Sequence, residues 1–477
     1  MNLCPYCKQP IEDHSLYCRN CNKPLISDID YDINKKIDHY HDESSFYVPD
    51  FEEEEEEYNL NIVDDELVDQ KLSETEIELE EREKLGKPMG SLLLKKASLY
   101  YKKRDLSTAL KNLELALNNF LNEENLLQIA ISYNEIGLIY EEMGYYEQAI
   151  YHLDRSLSSL MEINDTNKII QVLNNLGNIY LIIKDYNQSY NNYQRALNLA
   201  EKENIELEAI KTSSNLVEVL FNLEEFDRIT KILKNNFNFF KKDNDIYGII
   251  QTLIKYGKLY YYLGENHYDQ SYESLNNALE LINNIEDRLS IYIKASLEWE
   301  CFHYLGKLNI LWDNDIEAED YLLKSLEAIR TYEIKEHIKE GLILEDIAKL
   351  YAIKGEDDKA IEYFKYSAEI YLKFGDKVKL AEIKYQIGKI YQNYLQIESE
   401  SIKYYEEALE IFENFNSSKN AAEILTILGN IYVANEMDEL ALSYYDRATN
   451  HYRILHDDYN EKLITEKIRS LHESKTP

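Results

Sequence analysis

Four cysteines near the start of the chain have the residue type and spacing of a metal site. Cys4, Cys7, Cys18 and Cys21 follow the pattern C-x2-C-x10-C-x2-C, and a fifth cysteine, Cys301, lies far away in the sequence. Each C-x-x-C pair forms a tight knuckle with both thiolates directed to one place, and two knuckles complete a tetrahedron around Zn²⁺. Two disulfides are the alternative, but these belong to oxidising compartments and no export signal is recognised. The spacing therefore predicts one structural zinc ion.

Residues 1–25 resemble the short zinc ribbons found at the N-termini of prokaryotic proteins. Such ribbons usually have glycine after the second cysteine of each knuckle, where this sequence has Lys8 and Asn22. His14 lies between the knuckles, but four thiolates already complete the coordination, so we interpret it as a loop residue. A site with four protein ligands has no open position for a substrate. The predicted ribbon is therefore a structural module.

An acidic segment follows the ribbon and is predicted to be a linker over residues 26–90. Within it, residues 42–83 contain 19 Asp and Glu against 2 Lys and Arg. Like charges at this density disfavour compaction, so residues 26–72 are expected to be disordered. Ser73 begins a capping box, which predicts a short helix over 74–85. The linker is interpreted as a solubilising tether, or alternatively as an arm that engages a basic surface or the protein's own groove.

The net charge limits the classes of partner. The chain has 52 Lys and Arg against 89 Asp and Glu, a net charge of −37 at pH 7. Such a chain repels phosphate backbones and anionic lipid, which argues against nucleic acid and membrane and favours a basic or neutral protein or peptide. No apolar run approaches the length of a membrane span, so we expect a cytoplasmic protein. The sequence does not indicate an oligomeric state.

A glycine recurs inside an amphipathic helical pattern, as Gly177 does in LGNIYLIIKDYNQSYNNYQRAL. Helix-interior glycine costs roughly 1 kcal/mol against alanine, so a neighbouring element should need the missing side chain. We therefore expect Gly177→Leu to be destabilising and Asn178→Leu to be tolerated. Intervals of 40 to 42 residues, with one of 49, separate the equivalent positions Ala97, Gly137, Gly177, Val217, Gly257, Gly306, Ala348, Gly388 and Gly429. This periodicity is the signature of a helical repeat array.

The pattern Leu-Gly-x-x-Tyr, followed by small, aromatic and small residues, resembles the tetratricopeptide repeat. The resemblance covers residues 91–456 in nine units, and their 40-residue spacing is similar to the longer subclass that includes the kinesin light chain. It implies an all-α fold, a right-handed α-solenoid of helix pairs. Residues 457–477 are predicted to form a capping helix and tail, and the apolar face of that helix contains Leu463, Ile464, Ile468 and Leu471.

The sequence favours a binding function over an enzymatic one. It contains no P-loop, no H-E-x-x-H and no G-x-S-x-G motif. The resemblance implies that first helices line a groove in which asparagines grip a peptide backbone, although asparagine is abundant throughout this chain. The matching positions are Asn134, Asn175, Asn178, Asn215 and Asn430. We predict a non-enzymatic adaptor with the ribbon as a second docking module. The alternative is a regulatory subunit or transcription- or translation-linked factor whose ribbon contacts a nucleic-acid machine.

The metal prediction is tested by elemental analysis of the purified chain under reducing conditions, which should find one zinc per chain. Cys4→Ser should release the zinc and leave helical circular dichroism nearly unchanged, because the four ligands lie outside the repeats. Cys301→Ser is the control and should retain the metal. A wild-type chain with well below one zinc would contradict the prediction.

Overall fold

The protein is an array of α-helices, seen here in a computed structural model that describes residues 2–3, 10–11, 65–332, 338–415 and 418–474. Within these residues there are 20 α-helices and one pair of two-residue strands, which confirms the predicted all-α helical repeat class. The chain divides into two compact units, Met1–Leu281 and Ile282–Pro477. None of the described helices has the length and apolar character needed to cross a membrane.

The elements of the first unit begin with the antiparallel strands β1 (Asn2–Leu3) and β2 (Pro10–Ile11), in which Asn2 lies opposite Ile11. The helices that follow are α1 (Asp65–Lys84), α2 (Gly90–Lys102), α3 (Leu106–Asn122), α4 (Leu126–Glu142), α5 (Tyr146–Ile163), α6 (Thr166–Ile182), α7 (Tyr186–Lys202), α8 (Glu206–Asn222), α9 (Phe226–Lys242) and α10 (Ile246–Tyr262). Helix α11 (Tyr268–Asn284) spans the boundary between the units.

The second unit contains α12 (Ile291–Leu311), α13 (Asp315–Tyr332), α14 (Ile338–Ile353), α15 (Asp357–Lys373), α16 (Lys377–Ile390), α17 (Glu398–Asn414), α18 (Ser418–Ala434), α19 (Asp438–Ile454) and α20 (Asp458–Ser474). Helices α2 to α19 form nine consecutive pairs. The 49-residue interval is explained by 3₁₀ turns at Glu265–His267 and Glu286–Arg288 and by the 21-residue α12.

The joints between helices recur every 20 residues in the first unit. Asp105 N–H donates to the Tyr100 carbonyl (3.0 Å) and closes the end of α2. The Asp105 carboxylate then accepts from Thr108 N–H (3.0 Å) and caps the start of α3. At every joint of the first unit a residue with positive φ precedes the next helix, whichever side chain follows it: Arg104, Glu124, Gly144, Asn164, Lys184, Asn204, Glu224, Asn244 and Gly264. At Asp105, Asp165, Asp185 and Asp245, one aspartate thus ends one helix and begins the next.

The interior glycine Gly177 is needed because a ring lies against its backbone. A methyl group at this position would lie 2.5 Å from Cε1 of Tyr193, which belongs to α7 and is fully buried. The same contact is made sixteen residues after two other repeat glycines, where Leu153 lies 2.8 Å and Leu322 lies 2.7 Å from the position of the absent methyl carbon. The predicted close approach of the paired helices is therefore confirmed.

Buried serines at the small positions of the second helices donate hydrogen bonds to the first helices. The Ser189 hydroxyl donates to the Gly177 carbonyl, and the Ser156 hydroxyl donates to the Ala130 carbonyl, both at 2.7 Å. Each hydroxyl is inaccessible to water and is satisfied within its own helix pair. Such a serine joins the two helices by a directional hydrogen bond, whereas an alanine at the same position would contribute packing alone.

Helix α1 differs from the linker helix expected over 74–85, because it begins nine residues earlier, at Asp65. The expectation of disorder is therefore wrong for residues 65–72, while residues 26–64 lie outside the described part of the chain. Charge density alone was a poor guide, because an apolar stripe at helical spacing runs through the acidic sequence at Val68, Leu72, Thr75 and Leu79.

The stripe on α1 is buried against the first repeat. Val68 and Leu72 are each 7% exposed and contact Leu99 of α2. An ion pair between Lys96 and Glu76 (2.7 Å) holds the polar edge of the contact. Helix α1 therefore covers an end of the helix stack that would otherwise expose apolar side chains.

The predicted final helix is present as α20, but one of the four residues predicted for its apolar face is exposed. Ile464 is 1% exposed, and Ile468 and Leu471 pack against the same apolar cluster. Leu463 is 40% exposed and does not contribute to the cluster. The buried face is narrower than predicted because α20 packs mainly against one neighbouring helix, α19.

Glu141, near the end of α4, is an acidic side chain at an otherwise apolar repeat position. The positions 40, 80 and 120 residues later are Leu181, Phe221 and Tyr261. Burial and the adjacent charge of Glu142 raise the pKa of Glu141 to about 7. The folded protein therefore binds a proton here that the unfolded chain releases near the ordinary glutamate pKa of 4.5.

The close contact at Gly177 predicts that Gly177→Leu is destabilising by about 3 kcal/mol or more, because the leucine would displace Tyr193. Denaturant unfolding monitored by circular dichroism measures the change. Asn178→Leu, tolerated in the sequence-based expectation, is a poor control because Asn178 accepts a hydrogen bond from the Tyr193 hydroxyl. Asn191→Leu, at an exposed position on α7, should change stability by under about 0.5 kcal/mol. Equal effects at 177 and 191 would refute the contact.

The raised pKa of Glu141 predicts a loss of stability as pH rises from about 4.5 through about 7. Glu141→Gln removes this ionisation, so at pH 8 the variant should be more stable than the wild type by about 1 to 3 kcal/mol. At pH 4.5 the two should unfold at nearly the same denaturant concentration. A pH-independent difference would show that the carboxyl is not buried.

Candidate peptide-binding site

The four cysteines predicted as zinc ligands, Cys4, Cys7, Cys18 and Cys21, lie outside the described residues. In this segment the structure describes the paired strands β1 and β2 and no other element. The remaining cysteine, Cys301, is fully buried in α12, and burial raises the pKa of its thiol well above the usual value. It is therefore a protonated packing residue at neutral pH.

Four of the five asparagines predicted from the sequence line one cavity. The cavity has a volume of about 310 Å³ and is formed mainly by α4, α6 and α8, the first helices of three consecutive repeats. Asn134 belongs to α4, Asn175 and Asn178 to α6, and Asn215 to α8. Asn175 and Asn215 are 40 residues apart and occupy the same position in successive repeats. The repeat thus brings amides that are distant in sequence to one concave surface.

The amides of the cavity retain hydrogen-bonding capacity. Asn175 Nδ2 donates to Asn134 Oδ1 (3.0 Å), and Asn134 Nδ2 donates to Glu135 Oε1 (3.0 Å). Asn178 Oδ1 accepts from the Tyr193 hydroxyl. The Asn215 side chain is half-buried and makes no hydrogen bond with any described residue. Each carboxamide has two donor hydrogens and an acceptor oxygen, so these contacts leave positions for a ligand's N–H and C=O groups.

Asn174 is a further asparagine of the cavity, which the sequence reasoning missed. It is 9% exposed, and its Nδ2 donates to Thr212 Oγ1 (2.9 Å). Its Oδ1 is buried and has no hydrogen-bond partner among the described residues. The signal that could have identified it is its position 40 residues after Asn134. A buried amide oxygen without a donor is uncommon in a folded protein, and a ligand N–H at this place would satisfy it.

The charges that line the cavity are balanced. Lys168 and Lys211 contribute two positive charges, and Glu135 and Glu208 two negative charges. The rest of the lining is formed by amide side chains, by Ser156 and by the apolar side chains Ile131, Leu138, Leu160 and Val172. Although the chain has a net charge of −37, this local surface has no excess of either sign.

The row of amides ends at α10. Asn175 and Asn215 are followed at the same repeat position by Lys255, whose Nζ donates to the Ser214 carbonyl (2.9 Å). Lys258, on the same helix, pairs with Glu218 of α8 (2.7 Å). These lysines use their charge to join neighbouring first helices. The accessible amide surface is therefore confined to α4, α6 and α8.

The fifth predicted asparagine, Asn430, lies apart from the others in the second unit. Its Oδ1 accepts from the Tyr445 hydroxyl (2.8 Å) and from Lys467 Nζ (2.5 Å). The structure therefore gives Asn430 a role in joining α18 to α19 and α20. It does not place Asn430 with the other predicted site residues.

A buried hydrogen-bonded contact joins α12 to α14, two first helices of the second unit. His303 Nε2 lies 2.9 Å from Asp346 Oδ2, and the His303 side chain is 2% exposed. Burial acts to raise the pKa of Asp346, but the hydrogen bond and charge of His303 outweigh it and hold that pKa well below its usual range. Lys349 also contacts both Asp346 (3.1 Å) and Glu345 (2.7 Å). Here the polar groups bind one another, in contrast to the amides of the first unit.

Comparison with known families agrees with the geometry of the repeats. Residues 130–159 and 170–203 match the tetratricopeptide repeat, so the cavity lies among tetratricopeptide repeats. Residues 327–467 match the family of the soluble NSF attachment protein, SNAP. A search of curated proteins gives no match.

Several solved structures are similar to this chain at low identity. The apo form of the quorum sensor NprR from B. thuringiensis has 12% identity and a TM-score of 0.50, and the match covers 81% of this chain and 99% of that chain. NprR in complex with its cognate peptide NprX has 11% identity, a TM-score of 0.48 and coverage of 82% and 98%. A Rap protein complexed with Competence and Sporulation Factor has 16% identity, a TM-score of 0.38 and coverage of 82% and 99%. The first of these likenesses supports the helical repeat fold.

Proposed function

We propose that this protein is a non-enzymatic adaptor that binds an extended segment of a partner protein or peptide in the cavity lined by α4, α6 and α8. The observation that carries the proposal is the convergence of Asn134, Asn174, Asn175, Asn178 and Asn215 on that cavity. Because an amide offers both donors and an acceptor, a row of amides can satisfy a peptide backbone without selecting its side chains. The proposal depends on this geometry and not on the ligands of similar structures.

The balanced charges of the cavity make the expected charge of the partner segment more specific. A basic or neutral partner was expected from the net charge of −37, and the cavity itself is lined by two lysines and two glutamates. A strongly charged segment of either sign would meet like charges there and lose hydration. We therefore infer a segment that is uncharged where it enters the cavity, with an apolar side chain against Leu138 and Val172.

The zinc ribbon remains part of the proposal as a second docking module. Its support is the spacing C-x2-C-x10-C-x2-C of Cys4, Cys7, Cys18 and Cys21. A closed four-thiolate site would stabilise a small module without taking part in chemistry. Residues 1–41 have 5 Lys and Arg against 6 Asp and Glu, so no basic excess favours contact with nucleic acid.

The test begins with selection of peptides from a random display library on the full-length chain, followed by affinity measurement by fluorescence anisotropy. The combined variant Asn175→Ala and Asn215→Ala should bind selected peptides about 5- to 150-fold more weakly, because two backbone hydrogen bonds contribute about 1 to 3 kcal/mol. Affinity should depend only weakly on salt, since the cavity charges are balanced.

A matched control removes two asparagines from exposed outer positions, Asn118 on α3 and Asn191 on α7, by the same change to alanine. The control should bind as the wild type does. If the cavity variant is folded by circular dichroism and also keeps wild-type affinity, the peptide site lies on another surface and the proposal is wrong.

A further inference from the structure

Helix α9 has a charge opposite to that of the rest of the chain. It contains one acidic residue, Asp227, and the five basic residues Arg228, Lys231, Lys234, Lys241 and Lys242. By comparison, the second helices α5 and α11 contain more acidic than basic residues. A helix with a net charge of +4 within a chain of net charge −37 is a distinct surface feature.

The four lysines of α9 form one exposed face, called here the lysine face and consisting of Lys231, Lys234, Lys241 and Lys242. At 100° per residue they fall within an arc of about 100°. All four are exposed, while Ile229, Leu233, Phe237 and Phe240 on the opposite side are buried. No described residue forms an ion pair with any of them. Arg228, outside this face, is paired with Glu225 (2.7 Å).

The chain itself contains a segment of matching opposite charge. Residues 52–57 are six consecutive glutamates, which precede α1 and lie outside the described residues. We propose that this glutamate tract docks on the lysine face of α9 within the same molecule. The assignment rests on charge complementarity between two features that are each unusual in this chain.

The length of the intervening chain permits the contact. Residues 52–57 lie 8 to 13 residues before Asp65, where α1 begins, so an extended chain reaches about 28 to 45 Å from that point. Helix α1 contacts α2, and three repeat steps separate α2 from α8, the partner of α9. At about 10 Å between packed helices, three steps to α8 and one more to α9 give roughly 40 Å, which Glu52 and Glu53 at the far end of the tract can span.

The tethered tract has an advantage over an acidic partner in solution. A free acidic segment approaching the molecule meets the repulsion of a net charge of −37 and must overcome it from low concentration. A tract joined to α1 belongs to the same molecule as the lysine face, so its docking does not depend on protein concentration. Docking within the molecule is therefore the arrangement that the charges and the connectivity favour.

The experiment titrates a fluorescein-labelled peptide of residues 49–60 into the monomeric full-length chain and follows anisotropy. Changing the six glutamates Glu52 to Glu57 to glutamine should vacate the lysine face, so this tract variant should bind the peptide at least about tenfold more tightly than the wild type, in which the tract competes. Raising salt from 0.1 to 1 M, which shortens the screening length from about 10 to about 3 Å, should abolish binding.

Additional substitutions in the tract variant locate the site. Changing the four lysines of α9 to serine should weaken peptide binding at least about tenfold, and changing them to arginine should preserve it. The charge-matched control changes four exposed lysines elsewhere in the first unit, Lys87, Lys102, Lys111 and Lys202, to serine and should retain binding. Equal peptide binding by the wild type and the tract variant would show that the tract does not occupy the lysine face, and would overturn docking within the molecule. The same result is expected if the lysine face is instead open to another acidic partner. Retained binding by the folded serine variant of α9 would overturn the site.

Discussion

The contact on which this fold depends is the packing of a large side chain against a helix backbone that lacks a side chain. Tyr193 lies on Gly177 so closely that a single added methyl would overlap the ring. Equivalent contacts at Gly137 and Gly306 use leucine in place of tyrosine. This contact sets the separation of the two helices in a pair, and the pair is the unit from which the array is built. The loss of helix propensity at the glycine is offset by the burial of the partner side chain.

The regular joints convert that local contact into a functional surface. Because a residue with positive φ recurs every 20 residues in the first unit, positions 40 residues apart stand beside one another on successive first helices. This 40-residue spacing brings the amides of Asn175 and Asn215 together in the cavity, and it does the same for Asn134 and Asn174. A shift of one residue at a joint would turn these side chains by about 100° and disperse the site.

Net charge is a poor guide to the local surfaces of this protein. The chain as a whole is strongly acidic, yet the cavity is balanced and α9 is basic. Salt screens charges over about 10 Å, so a partner that binds one surface interacts mainly with the charges of that surface and not with the net charge of the chain. In the second unit, the buried hydrogen bond between His303 and Asp346 joins α12 to α14.

The sequence alone determined the helical class, the repeat register and the need for glycine at position 177, because periodic spacing and helix propensity are local properties of the chain. It also indicated four asparagines of the cavity through their place in the repeat. Only the tertiary structure showed that Asn430 is joined to Tyr445, that Asn174 has an unsatisfied oxygen, and that the acidic α1 is packed. These features depend on which side chains of different helices are in contact. Those contacts are set by the distance and rotation between packed helices, and neither can be read from a single segment of sequence.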